Sequence, residues 1–394
     1  MKSIISRINQ FFIAHKKRNH TPIFISQDII VQTHNNAHKY YDDKDLVFLK
    51  EMGIYCAFKY TIVNELLLSG SFGVSQMHTS LNRIYFQTDT ERHAHNKKTA
   101  KKYLDFLSKN LQFEDSAYLS AVFFKITTYI KEDVEFNLVD AIVNPVILIN
   151  ALNDLGFLEM FPKMNPAHPD FSYDYLIANA KNIFNNRSSL EQLIKENSTT
   201  ENSSQLMAKL LKEFSVEGEV FPDELPFFFT TVIYTSIENV ASFVSSFLYF
   251  SIKHYPEIYK RYDQEKLVAL GNEVLRIYSP NFVTFRTATE DVKFKHIDIK
   301  KGEMVALFIG AANRDVTTFQ EPLEIKLDRT EKHLAFSRGK ISCIGQFASF
   351  RISLNFINCM LKLKGTFTIL DDEPQFEVGG VVKIADIKTI YHVG

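Results

Sequence analysis

One short stretch limits this chain more than any other: Phe336-Ser337-Arg338-Gly339-Lys340-Ile341-Ser342-Cys343-Ile344-Gly345. A single cysteine stands between two glycines, and an apolar helical pattern follows at once, from Phe347 to Leu363. Glycines permit a tight turn that other residues resist, so the loop presents one sulfur just ahead of a helix. The first N–H groups of that helix have no partner inside it and carry the positive end of its dipole. Both effects favour the thiolate over the thiol. A sulfur held this way suits a metal ligand. The plain alternative is a buried structural cysteine before a helix.

The rest of the composition narrows the field. The chain has 394 residues, 45% hydrophobic and 23% charged, the balance of a globular protein with a large core. A net charge of −1 argues against a dedicated nucleic-acid binder. Thirty-five Phe and 17 Tyr without any Trp suit a Phe-rich core or the lining of an apolar cavity. Cys56, Cys343 and Cys359 offer neither a disulfide framework nor a C-x-x-C spacing, which fits a reducing cytosol. Residues 1–19 carry apolar positions broken by Ser6, Arg7, Asn9 and Gln10, then the basic run His15 to Arg18. That pattern predicts an amphipathic helix on the protein's own surface, not a signal peptide or membrane span.

Along the chain, residues 20–86 read as short strands and helices, with Ser69 to Ser75 as a flexible loop. Asp89 to Lys98 opens a helix on which His93 and Lys97, four apart, share a face. Alone, that is a solvated basic face. Residues 115–196 read as helices joined by short loops, with prolines as breakers. Pro222 to Phe250 is a helix-length apolar run, polar only around Thr235 to Asn239. A carboxylate and an amide buried in mid-helix are costly unless partnered, so Glu238 and Asn239 are functional candidates or a patch satisfied by a neighbour. Glu273 and Arg276 lie three apart near the end of a helix running from Gln264 and stopped by Ser279-Pro280, an arrangement common on any helix. Strand-like runs fall at about 281–308 and 364–391.

Taken in order, these segments resemble the cytochrome P450 family in its soluble bacterial form. The loop matches F-x-x-G-x-x-x-C-x-G. The helix at 89–97 is similar to D-x-x-x-H-x-x-x-R, with Lys97 in place of the arginine. Glu238 stands where the long central helix of the family carries its acid. Glu273-x-x-Arg276 is similar to E-x-x-R, with Arg329 as the later arginine; Phe285 to Ala288, Lys301-Gly302-Glu303 and Ala311 to Asp315 follow as bacterial members have them. The resemblance implies a mainly α fold with small β-sheets, a single haem domain over 1–394. It implies haem b with Cys343 as axial thiolate in the loop shaped by Phe336, Gly339 and Gly345, and propionates held by His93, Lys97 and Arg286. Glu273, Arg276 and Arg329 become a buried ion-pair network. Phe72, Met77, Thr235, Val283, Thr284 and Gly380 fall at positions expected near substrate.

The function it implies is a cytoplasmic haem-thiolate monooxygenase of secondary metabolism, with Glu238 and Asn239 as catalytic residues. Its substrate would be a small organic metabolite, aromatic or bound to a carrier or peptide. No flavin, nicotinamide or iron–sulfur signature occurs, so electrons are expected from a ferredoxin-type donor and its reductase, docking where Arg338, Lys340 and Arg351 offer positive charge. No nucleic-acid or membrane partner is expected. Two departures stand out. Ile341 occupies a place where many members carry Arg or His, and Asn239 replaces a threonine whose hydroxyl relays a proton. The alternatives are a peroxide-driven enzyme and a non-catalytic haem protein that binds or recruits partners.

Overall fold

The structure is a computed structural model that describes residues 27–41, 44–74, 117–154, 158–185, 189, 225–343, 345–378 and 381–393. The expected N-terminal helix, and the expectations placed on Met77, His93, Lys97 and Gly380, lie outside the described residues. The helices in chain order are α1 (Gln27–Asn35), α2 (Tyr60–Leu68), α3 (Ala117–Thr127), α4 (Asn144–Asp154), α5 (Tyr173–Asn185), α6 (Leu225–Lys253), α7 (Pro256–Arg261), α8 (Gln264–Ile277), α9 (Ile309–Ala312) and α10 (Gln346–Leu361). The strands are β1 (Val47–Leu49), β2 (Ile54–Ala57), β3 (Phe72–Val74), β4 (Glu135–Asn137), β5 (Thr284–Ala288), β6 (Val292–Phe294), β7 (Ile297–Ile299), β8 (Met304–Leu307), β9 (Gly365–Ile369), β10 (Phe376–Val378), β11 (Val382–Ile384) and β12 (Lys388–Val393). No helix among the described residues is long and apolar enough to cross a membrane.

The chain forms two compact units, each built from separated segments. The first takes residues 1–94, 275–343 and 378–382. Its centre is a five-stranded sheet in the order β1-β2-β8-β5-β3. Strands β2 and β8 run parallel, Tyr55 opposite Val305, while β5 pairs antiparallel with both β8 and β3. Successive side chains on a strand point to opposite faces, and each face here carries its own core. Val305 and Leu307 join Ala57, Leu66 and Leu334 in one cluster; Ala306 joins Cys56, Phe58, Phe285 and Phe308 in the other. The sheet is therefore apolar on both sides and covered on both.

Here the Ser69–Ser75 reading needs correcting. Phe72–Val74 is a strand, with Phe72 opposite Ala288 and Val74 opposite Arg286. Three residues are too few to show a period, and the glycine-rich run is held extended by its partner strand, more than 200 residues away in sequence.

The second unit takes residues 95–274, 344–377 and 383–394. Its axis is α6. From Ile237 to Phe250 nearly every residue is buried, with Glu238 and Asn239 the half-buried exceptions. Phe243 stacks on Phe247 at 5.5 Å and meets Phe350 of α10 edge-on at 5.3 Å. Gly271 of α8 allows this closeness. A Cβ there would stand 2.9 Å from the Phe350 ring and 3.4 Å from that of Phe243. Phe356 of α10 packs edge-on against Phe123 of α3 at 4.5 Å. A three-stranded sheet, β4-β12-β9, closes the unit, with Thr389 opposite Phe136 on one side and Ile369 on the other. Strand β4 lies in a stretch that reads as helical from sequence. Its pairing with the far C-terminus makes it a strand.

Candidate active site

Three cysteines could supply a thiolate, and their surroundings separate them. Cys56 is fully buried in the first unit, its Sγ 3.7 Å from Met52 Sδ, and desolvation pushes its thiol pKa up. Cys359 is 1% exposed on α10, with Ser120 Oγ 3.5 Å away. Cys343 alone is exposed.

The loop that presents it is folded as its glycines predict. Gly339 has φ +71°, and a Cβ there would stand 2.7 Å from the Leu67 carbonyl oxygen, so α2 seats the turn from below. A 3-10 turn, Gly339–Ile341, follows, and Ser342 N donates to Gly339 O at 3.2 Å. Cys343 N donates to Phe336 O at 2.8 Å, closing the loop on itself. Phe336 is half-buried with its ring 5.9 Å from His333. Gly345 is the N-cap of α10 and accepts from both the N–H and the Oγ of Ser349 at 2.9 Å. The sulfur thus sits three residues ahead of a 16-residue helix, the arrangement the sequence predicts.

Beside this loop stands an unusual cation. Arg286, on β5, is 4% exposed. Its Nη1 donates to Thr284 Oγ1 and Phe285 O, and its Nη2 to Ser337 Oγ, all at 3.0 Å. Its Nε has no partner among the described residues, and desolvation lowers its pKa to about 10. Ser337 holds its hydroxyl there from a left-handed backbone, φ +59°, with its N–H bonded to Leu334 O. Such conformations are uncommon for a non-glycine residue. Among the described residues this buried guanidinium is held by neutral oxygens, and its unfilled Nε leaves a donor that an anion would satisfy. An exposed cysteine and this cation fit a thiolate-bound group with acidic side arms, as the sequence expects of haem.

Other expected residues divide. Arg276 is fully buried, donating to Asn313 O at 3.1 Å, Pro322 O at 2.6 Å and Glu324 O at 2.9 Å. Arg329, half-buried, bonds Gln320 O at 3.1 Å, and both guanidiniums lie over the Phe319 ring, at 5.1 and 5.8 Å. Together they clamp the backbone of 320–324. Glu273 is 4% exposed, one turn before Arg276 on α8. Phe72 is packed in the core with Leu67 and Ala288, Val283 lies against the other core cluster, and Thr284 accepts from Arg286. Thr235 is on α6, its side chain outside the described set.

Glu238 lines a cavity of about 180 Å³ within the second unit, together with Ser242 and Ser245 of the same helix. Asn239 does not line it, since adjacent helical residues point about 100° apart. The serines were not singled out from sequence, although their spacing from Glu238 is the helical signal for a shared face. Arg338 donates to Asn64 Oδ1 at 3.0 Å, Tyr60 Oη at 2.9 Å and Lys332 O at 3.0 Å, so it braces the loop against α2.

A family model described as Cytochrome P450 matches residues 173–386, just over half of the chain. The chain belongs to the cytochrome P450 family. Among curated relatives, cytochrome P450 CYP199A2 of Rhodopseudomonas palustris is 29% identical over 139 residues, 34% of this chain and 34% of that protein. The biotin biosynthesis cytochrome P450 of Bacillus subtilis is 29% identical over 138 residues, 34% of this chain and 35% of its own. The chain thus spans about a third of the length of the curated relatives it matches. Among solved structures, the hydroxylase HmtN of himastatin biosynthesis superposes with a TM-score of 0.71 at 16% identity, covering 93% of this chain and 100% of that one. P450BioI, in complex with a fatty-acid-ligated acyl carrier protein, does so with 0.66 at 16% identity, covering 92% and 100%. Likeness at that identity shows the cytochrome P450 fold, mainly helical with small sheets, as the sequence predicts.

Proposed function

We propose that this chain, working as one haem domain over 1–394, is a monooxygenase that oxidises a small organic metabolite with dioxygen and electrons from a separate ferredoxin-type donor. The observation that carries the reading is the pairing of the exposed Cys343 with the buried Arg286, which has no acidic partner among the described residues, set on one loop and its neighbouring strand. Haem bound through Cys343 would supply the oxygen-activating chemistry. The chain's own residues supply the rest. Cys343 holds the metal as thiolate, and Arg286 with Ser337 takes a propionate. Asn239 offers an amide N–H as hydrogen-bond donor on one face of α6, and Glu238 holds a proton on another. An amide donates but does not hand a proton through itself as readily as a hydroxyl, which is why Glu238 carries the proton traffic in this reading.

Relatives named for biotin and polyketide biosynthesis in Bacillus subtilis support a biosynthetic role. We place the substrate among aromatic or carrier-bound metabolites and the protein in the cytoplasm. The test is the purified protein reconstituted with haem. A far-red-shifted band in the reduced carbonyl complex, with turnover supported by a surrogate ferredoxin and its reductase, is the expected result. Turnover with peroxide alone would favour the peroxide-driven alternative suggested by Asn239, and haem binding without that band would overturn the proposal.

A further inference from the structure

The cavity beside Glu238 runs along α6 through Ser242 to Ser245, positions i, i+4 and i+7 of one helical face. Its volume, about 180 Å³, equals roughly six waters at about 30 Å³ each, or one organic molecule of about as many heavy atoms. The inner end is uncharged: Ser242 and Ser245 are buried there beside the apolar Ala241 and Ile384. The outer end carries both signs of charge. Asp140 and Lys181 are 32% and 63% exposed and pair with each other at 3.5 Å. Glu377 of β10, exposed, and Lys383 of β11, half-buried, line the same space. Neither of these two side chains joins an ion pair or hydrogen bond among the described residues. Two opposite charges that share a cavity and are not spent on each other suit a ligand carrying both signs.

Ser245 supplies the independent observation. It is 1% exposed, and its Oγ has no hydrogen-bond partner among the described residues. A serine inside a helix can bond back to the carbonyl four residues earlier. Ser353 and Ser349 of α10 do this, reaching Ser349 O at 2.8 Å and Gly345 O at 2.9 Å. Ser245 does not. A buried hydroxyl without a partner is costly, and this one stands on the wall of a cavity from which a polar group could reach it.

We propose that this cavity is a binding site for a small α-amino acid with a short hydroxylated side chain, of the size of serine. The ligand carboxylate meets the Lys383 ammonium, its ammonium meets the carboxylates of Glu377 and Glu238, and its hydroxyl reaches inward to Ser245. A simple cation would leave Lys383 unanswered, and a simple anion would leave Glu377 so. The volume is too small for an aromatic or long-chain amino acid. The site lies on a face of α6 that Asn239 does not share, and it needs no role for Glu238 in proton transfer. It therefore stands apart from the monooxygenase reading.

The test is a ligand-observed NMR titration of the haem-loaded protein with L-serine, ethanolamine and lactate. L-Serine should bind in the millimolar range. Ethanolamine, which lacks the carboxylate, and lactate, which lacks the ammonium, should bind about tenfold more weakly or worse, since each forfeits a charge-assisted hydrogen bond. Lys383→Met should weaken L-serine binding by about tenfold and Lys383→Arg should restore it. Ser245→Ala should weaken it by about three- to tenfold, the loss of one hydrogen bond, and Ser245→Thr should keep it. Ser245→Ala removes a hydroxyl with no bond inside the described protein, so its melting temperature should not fall, and weaker binding would then report the site, not the fold. No binding of L-serine at millimolar concentrations, equal binding of ethanolamine or lactate, or wild-type affinity in either Lys383→Met or Ser245→Ala overturns the inference. Failure of the monooxygenase reading shows separately, as a reduced carbonyl complex of wild type without the thiolate band, and leaves these affinities untouched.

Discussion

His34 Nε2 and Arg314 Nη2 lie 2.8 Å apart in the core of the first unit, a neutral imidazole accepting from a buried guanidinium. Desolvation, then the charge of Arg314, lowers the His34 pKa from 6.5 to about 3. Packing tightens the pair further: a Cβ on Gly310 would stand 2.5 Å from the imidazole Cε1. A base whose folded pKa lies below its unfolded value binds protons preferentially in the unfolded chain. The stability of neutral His34 is therefore complete above pH 6.5 and lost as pH falls from 6.5 toward 3, at about 1.4 kcal/mol per pH unit once the unfolded chain has titrated. His34→Gln, which keeps an acceptor but does not titrate, should flatten the pH dependence of thermal unfolding across that window. The same slope in both proteins would mean that His34 is protonated in the folded state.

Cys343→Ala should abolish the far-red-shifted band of the reduced carbonyl complex. Cys56→Ala and Cys359→Ala should keep it, because both of those thiols are buried away from any ligand. Retention of the band in Cys343→Ala would remove the loop from the haem assignment.

Arg286→Met is expected to separate haem retention from folding. A buried cation without an acidic partner is a burden on the folded chain, so haem-free protein should unfold at an equal or higher temperature than wild type. Haem titration of the same variant should show weaker binding, since a charge-assisted hydrogen bond is worth about 1.5–3 kcal/mol. Unchanged haem affinity would show that Arg286 serves only the sheet.

Glu273→Ala tests the proposed network around Arg276. Removing a carboxylate from a buried charged site typically costs about 3–5 kcal/mol. The expected product is haem-free or aggregated protein. Normal haem content and melting temperature would show that Arg276 is held by the carbonyls of Asn313, Pro322 and Glu324 alone.

On α6, Glu238→Gln should slow oxygen-dependent turnover, by the order of 10²–10⁴-fold typical of general acids, and affect peroxide-driven turnover less. Asn239→Thr should keep haem binding and raise the yield of product per electron consumed. Oxygen-driven activity of Glu238→Gln equal to wild type would place proton entry elsewhere and make the polar patch structural.

The sequence by itself determined what local chemistry can determine. Gly339 and Gly345 around Cys343 called for a tight turn before a helix, and both glycines serve it as expected, one by a left-handed φ and the other as N-cap. The length and apolarity of α6, and the termination of α8 before Ser279-Pro280, were legible because helical periodicity and proline act over a few residues. What tertiary structure alone decided involves partners far apart in the chain. Phe72–Val74 became a strand by pairing with residues 286–288, and Glu135–Asn137 by pairing with 388–390. Arg338 became a brace between Tyr60, Asn64 and Lys332. Arg286 acquired its meaning the same way: that it is a buried cation with no acid among the described residues depends on which side chains surround it, and the sum of desolvation and neighbouring charge is fixed only once the sheet and the cysteine loop have come together.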